Sequence, residues 1–219
     1  MSEINAITTM DAWKQGLKHI VEHGKDHSDG NREFRQCLNL NVEITNPYED
    51  ILVPIKTLAE STKWVYPDVE EIRSIILAKK RNPSYEFTYG QRIFYFNQEI
   101  DQIDSYIIPL LNKDKKTRTG VISLWNPLID TKIEAREKPG VVFCMFKVVE
   151  DKLRATAVVR NTDFFVGFPA NLYQLSVLQE YVAENINVDR GPLIVYSLTA
   201  HVYKENFEDI NYFLGLRAV

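Results

Sequence analysis

An α+β fold, with helices laid against a mixed or antiparallel sheet, is what this 219-residue sequence predicts. Two observations carry that expectation. The first half is dominated by helical periodicity, and the second is a block of adjacent strands that carries one long helix. Strict alternation of strand and helix, the mark of a parallel βαβ sheet, is missing. A chain of this length that is 45% apolar can bury one sizeable core. No repeat, low-complexity segment or linker divides it, so residues 1–219 are expected to form a single domain.

The elements follow in order. Asp11 to His23 places Trp13, Leu17, Ile20 and Val21 at helical spacing, with Asp11 as the expected cap and Gly24 as the stop. Gly30-Asn31 reads as a turn, and Cys37 to Ile44 alternates Leu38, Leu40, Val42 and Ile44 as a half-buried strand ended by Asn46-Pro47. Helices are expected over 51–62, 69–80 and 100–111, with Pro83 breaking the chain before the polar and aromatic segment 85–91. Strands are expected over 120–125, 140–149 and 153–159, then a long helix over 171–184, then a strand beginning at Gly191.

Bulk composition narrows the function. A net charge of −4, with the charges dispersed, offers no basic face for a nucleic-acid polymer or a membrane surface. Cys37 and Cys144 both lie in apolar or strand-like runs, as buried thiols of a reducing compartment do. No basic segment leads an apolar run at the N-terminus, and no apolar stretch approaches membrane-spanning length, so a cytoplasmic protein is expected. His19, His23 and His27 would stack on one helical side, but Gly24 interrupts the helix and a further ligand is not evident; a polar helix face is expected and no metal.

Four groups of residues suggest chemistry. Arg118 stands at the start of a strand, where its forked guanidinium can face an anion, although most basic clusters like 113–118 are solvated surface. Arg160-Asn161-Thr162-Asp163 gathers phosphate donors and one acceptor in a single turn, as an ordinary surface turn also can. In Gly167-Phe168-Pro169-Ala170-Asn171, Gly167 permits close backbone approach and Pro169 can open a helix. Asn171 is there either a cap or an amide that reads the adjacent N–H and carbonyl of a uracil-like edge. His201 and Tyr203, two apart on a strand, share one face and have polar tips suited to sugar hydroxyls, or form a half-buried pair at a sheet margin.

The order and separation of these motifs resemble the thymidylate synthase and pyrimidine hydroxymethylase family, especially its short archaeal and phage-like members. Tyr89-Gly90, Asp101-Gln102, Ser123-Leu124-Trp125-Asn126, Arg160 to Asp163, Gly167 to Asn171 and His201-Val202-Tyr203 carry the resemblance, over about residues 85–204 and more faintly 32–47. It implies a homodimer packed sheet against sheet. It also implies a nucleotide phosphate held by Arg160 and by Arg118 reaching across the dimer, with Asn161 beside them and either Arg32 or Arg35 as a further arginine. Asn171 would read the base and His201 with Tyr203 the sugar. Asp163, with Gly167 beside it, would meet the pterin of 5,10-methylenetetrahydrofolate.

The departures from the pattern are specific. Pro139-Gly140 stands where the family has Pro-Cys, and glycine cannot add to the ring and activate it as a thiolate does. Thr119 replaces the second arginine of the family's Arg-Arg, Asn161 the serine of its Arg-Ser, and Met145 a glutamine. The chain also ends soon after Tyr203, short of the segment that closes over folate in the larger synthases. Cys144 lies about 13 Å along the strand from residue 140 and reads as a core residue rather than a relocated nucleophile. Two functions remain open at this point. One is a folate-dependent methyl or hydroxymethyl transferase acting on a nucleotide or related heterocycle reactive enough to need no thiol. The other is a non-catalytic nucleotide-binding paralogue, or the regulatory subunit of a synthase-like partner.

Overall fold

The computed structural model describes residues 2–30, 32–60, 63, 68–80, 87–134 and 137–215. They fall into two compact units: Met1–Tyr66 with Val159–Tyr173 and Ile194–Val219, and Pro67–Val158 with Gln174–Leu193. The fold is α+β with a mixed parallel and antiparallel sheet, as the order of elements predicts. No helix among the described residues is long and apolar enough to cross a membrane.

In the first unit, β1 (Ser2–Ala6) runs parallel to the second half of β3 (Arg32–Ile44), Ser2 opposite Leu40 and Ala6 opposite Ile44. β2 (Lys25–Asp29) runs antiparallel to the first half, Lys25 opposite Gln36 and Asp29 opposite Arg32. Gly30, at φ 75°, makes the left-handed step of that hairpin. The alternation expected through Leu38 does not hold. Asn39 sits at φ 57°, which breaks the pleat, so Leu38 is exposed while Leu40, Val42 and Ile44 are fully buried. The strand thus presents one set of side chains before Asn39 and another after it.

The helix α1 (Thr9–His23) buries Ala12, Trp13, Gly16, Leu17 and Ile20. Its cap is Thr8, whose side chain accepts from the Asp11 backbone N–H at 3.3 Å; Asp11 lies instead in the first turn, where a negative charge suits the helix dipole. Gly24 ends the helix with an extended backbone, and a Cβ there would lie 2.5 Å from the Ile20 carbonyl oxygen. His27 therefore falls in β2, and the three histidines do not form one helical stack. α2 (Val53–Glu60) follows, shorter than expected, with positions 61 and 62 outside the described residues; the expected break at Pro83 lies outside them too.

Trp13 fixes the segment between β6 (Lys152–Val159) and the long helix α7 (Gly167–Ile186). Its indole N–H donates to the carbonyls of Phe164 and Phe165 at 2.9 and 3.1 Å. Gly16, one turn on, lets the Phe164 ring lie against the helix backbone, and Phe164 stacks on Phe168 at 4.0 Å between ring centres. Within that segment β7 (Thr162–Asp163) runs parallel to β8 (Asp189–Tyr203), placing Asp163 opposite His201. Thr162 and Ser197 hydroxyls, both buried, lie 2.8 Å apart. α8 (Phe207–Phe213) completes the unit.

The second unit carries α3 (Val69–Ile76), α4 (Tyr89–Phe94), α5 (Ile108–Lys113), β4 (Val121–Ser123), α6 (Pro127–Asp130) and β5 (Val141–Val149). β4 pairs antiparallel with β5, which lies beside β6. The helix expected over 100–111 begins as a π-turn, Ile103–Ile107, in which Ile107 N–H reaches the Gln102 carbonyl at 3.1 Å. Pro109 lacks an N–H and crowds the turn before it, which widens the helix there. Several motif residues are structural ties. Gln102 donates to the carbonyls of Arg92 and Ser123 at 2.9 and 2.8 Å and accepts from the Ser123 N–H. Asp101 caps the π-turn, and Gly90 lies where a Cβ would be 2.3 Å from the Ile75 carbonyl oxygen. Arg92 and Asp130 form a buried ion pair at 2.6 Å.

The packing at Gly16 gives a direct test. A Cβ there would lie 2.1 Å from a Phe164 ring that is itself buried against Phe168. Gly16→Ala is expected to lower the unfolding free energy by about 1–3 kcal/mol, measured by urea denaturation. A wild-type midpoint would show that the ring can move aside.

Candidate functional site

β8 and the first half of β3 build the site in the first unit. Along β8, Thr199, His201 and Tyr203 point to one face while Ala200 and Val202 enter the core. From β3, Phe34 and Gln36 join them, and Arg160, Asn161 and Asp29 close the ring of an open cleft of about 240 Å³. Aromatic edges shape its floor. The His201 and Tyr203 ring centres are 4.9 Å apart, and Phe34 lies edge-on at 5.6 Å from His201 and 6.3 Å from Tyr203.

Four residues singled out in the sequence therefore meet in one cleft: Arg160, Asn161, His201 and Tyr203. Asp163 adjoins it through His201, its partner across the β7–β8 ladder. One carboxylate oxygen of Asp163 accepts the backbone N–H groups of Phe165 and Val166 at 3.0 and 3.2 Å, so Asp163 shapes the turn into α7. Gly167 starts that helix with its backbone against the Asp163 side chain, and Asn171 follows one turn later. Arg118 and Gly140 belong to the second unit, Arg118 exposed before β4 and Gly140 just before β5.

Arg32, not Arg35, shares the face of the cleft. Its guanidinium carbon lies 3.3 Å from the centre of the Tyr203 ring and its Nη2 meets Glu205 at 2.6 Å. Arg35 turns away to Asp26 at 2.6 Å and to the Val21 carbonyl at 2.7 Å. The alternation of β3 separates the two.

Burial sets the protonation of the central pair. It pushes the His201 imidazole below its ordinary value, against the attraction of Asp163 and with the help of the Arg32 cation. Burial likewise raises the Asp163 carboxyl, opposed by the Val166 N–H, His201, the Phe165 N–H and Arg32. Tyr203 is also raised, chiefly by burial. His201 Nδ1 is buried and has no hydrogen-bond partner among the described residues.

Cys144 cannot stand in for a thiol at position 140. It pairs with Ile122 inside the sheet, is 3% exposed, and burial pushes its pKa up to about 12. Cys37 is half-buried and also raised by burial.

The sequence reading missed Asp29, Phe34, Gln36 and Thr199. Thr199 carried a signal, being two residues before His201 on the same strand face. Phe34 and Gln36 fell outside a strand that was expected to start at Cys37. Asp29 is brought in by a hairpin whose β2 arm is exposed at every position and so has no apolar alternation.

The sequence model of the family described as thymidylate synthase matches residues 78–216. Proteins named "Putative thymidylate synthase" from Methanococcoides burtonii and Methanosarcina acetivorans are 34% and 35% identical, each covering 94% of this chain and over 90% of their own length. A "Thymidylate synthase" from Francisella tularensis is 31% identical over 56% of this chain and 49% of its own. The chain belongs to the thymidylate synthase family.

The burial of His201 predicts its titration. Because the folded pKa is depressed, the ring stays neutral until pH falls below 6.5, and the folded state loses stability as pH drops from there toward the depressed value. The histidine resonance lost in His201→Gln should titrate in the wild type with a midpoint below 6.5 by NMR. A midpoint above it would show that Asp163 outweighs burial.

Proposed function

We propose that this member of the thymidylate synthase family is a one-carbon transferase, delivering a methyl or hydroxymethyl group to a nucleotide or related heterocycle without the cysteine nucleophile. The observation that carries this reading is the cleft itself, which Arg160, Asn161, His201 and Tyr203 line together. A site that had lost its ligand would have no reason to keep that set together.

The roles divide by chemistry. Arg160, which lines the cleft, and Arg32, which lies over the Tyr203 ring, are suited to phosphate, whose oxygens match a guanidinium fork. Asn161 adds an amide donor beside Arg160. His201, held neutral by burial, and Tyr203 can each donate to or accept from a sugar hydroxyl. Asn171, in the first turns of α7, is suited to a uracil-like edge. Arg118, exposed, would act in a homodimer by reaching the partner's phosphate.

Residues fitting a reduced folate are present. Asp163 commits one oxygen to the turn, while its other accepts no hydrogen bond from described residues, which suits the N–H edge of a pterin. Asp163 and Gly167 would hold 5,10-methylenetetrahydrofolate, which when bound supplies the one-carbon unit. The chain's own part is to orient the two reactants and exclude water. With Gly140 in place of the thiol, the accepting ring must already be electron-rich at the reacting carbon.

One observation favours a second reading, a non-catalytic nucleotide-binding subunit. Among the described residues both thiols are held protonated by burial, and neither is placed at position 140.

The two readings separate when the pure protein is incubated with a pool of nucleotides and nucleobases and methylenetetrahydrofolate, and the pool is then analysed by mass spectrometry. A species heavier by a methyl or hydroxymethyl group, formed equally by Cys144→Ala, is expected. Absence of any such product, with one nucleotide retained on the protein, would favour the binding subunit.

A further inference from the structure

The cleft in the first unit has more hydrogen-bonding capacity than one sugar hydroxyl can use. His201 and Tyr203 together provide a ring nitrogen and a phenol, enough to donate to and accept from a single hydroxyl. Gln36, Thr199 and Asp29 line the same cleft. Asp29 differs from the rest because a carboxylate at neutral pH only accepts, with two oxygens that can take two donors side by side.

Its surroundings give that carboxylate no other task. Asp26, three residues earlier on β2, pairs with Arg35 and Lys204, and Glu33 pairs with Lys204. Across the hairpin, Arg32 turns to Glu205 and the Tyr203 ring. The Asp29 carboxylate makes no hydrogen bond or ion pair with any described residue, yet its field reaches both His201 and Tyr203.

Charge decides which part of a ligand faces it. A phosphate is repelled by a carboxylate and drawn to the guanidinium of Arg160, so the phosphate end is placed toward Arg160. A ribose offers neighbouring O–H donors: with its 3′-hydroxyl at His201 and Tyr203, its 2′-hydroxyl is left for the acceptor-only carboxylate of Asp29. A 2-deoxy sugar leaves that carboxylate without its donor, and unmade charge-assisted bonds discriminate strongly.

We propose that the cleft selects ribonucleotides over 2′-deoxyribonucleotides, with Asp29 accepting the 2′-hydroxyl of a ribose whose 3′-hydroxyl lies at His201 and Tyr203. The inference rests on the nucleotide-binding reading above and deepens it by naming the sugar. Asp29 is a specificity residue, remote in sequence from the motifs that mark the family. Its position depends on the short β2–β3 hairpin and the turn at Gly30.

Isothermal titration calorimetry of the full chain with UMP, dUMP, CMP and dCMP tests it. For whichever base binds, the ribonucleotide is expected to bind about tenfold tighter than its deoxy counterpart, the loss of one charge-assisted hydrogen bond. Asp29→Ala should erase that ratio by weakening the ribonucleotide alone, and Asp29→Asn should reduce it. Asp29 is exposed on an edge hairpin, so both variants should fold, which their circular dichroism checks. Equal or tighter binding of the deoxynucleotide, or a ratio that survives Asp29→Ala, overturns the sugar assignment and leaves the nucleotide site standing. Failure of all four nucleotides to bind would remove the nucleotide reading and the sugar assignment together.

Discussion

A single indole N–H shared between two carbonyls governs the first unit. Trp13 holds Phe164 and Phe165 by their backbone, and Gly16 leaves room for the Phe164 ring where any side chain would stand. The segment so clasped begins at Arg160 and ends at Gly167. Once it is pinned, β7 can pair with β8 in one register only, and that register sets Asp163 opposite His201. The positions of Arg160, Asn161 and Asp163 beside β8 follow from this clasp. Trp13 and Phe165 rings stacked at 5.9 Å, and Trp13 against Phe213 at 4.5 Å, extend the same apolar contact.

The motifs that mark the family divide into two kinds. In the second unit they are ties. Gln102 stitches three backbone groups, Asp101 and Asn126 cap short helical turns, and Ser123 donates to the Trp125 carbonyl at 2.8 Å. These contacts hold the backbone of the second unit, whatever its chemistry. In the first unit Arg160, Asn161, His201 and Tyr203 line a cleft instead. Resemblance in the first kind supports the fold. Only the second kind bears on what the protein binds.

The sequence was legible where periodicity is strong. α1, α7, β5 and β6 announce themselves by apolar spacing, although α7 begins at Gly167 and not at Asn171 as expected, with Pro169 in its first turn. β1 and α4 are short, and β2 is a polar arm exposed on both faces, so none carries a pattern. The phase change at Asn39 is invisible to any rule of strict alternation, since it depends on one residue adopting a left-handed backbone. The cap at Thr8 lost to Asp11 in the sequence because both are good caps and only the backbone angle of residue 8 separates them. For the site, residues grouped along the chain were found, and those brought in by the hairpin were not. A hairpin joins Asp29 to His201 across more than 170 positions through pairing alone, without any local signature.

Energetics bear on whether the cleft is a relic. A buried polar atom left without a partner costs about 1–3 kcal/mol, and His201 Nδ1 has none among the described residues. Burying the Asp163 carboxyl beside it adds to the cost, as the upward displacement of its pKa shows. Both residues also have structural contacts: Asp163 holds the turn into α7, and the His201 ring lies edge-on to Phe34 and Tyr203. A ligand that donates to or accepts from His201 would recover what the free protein forgoes.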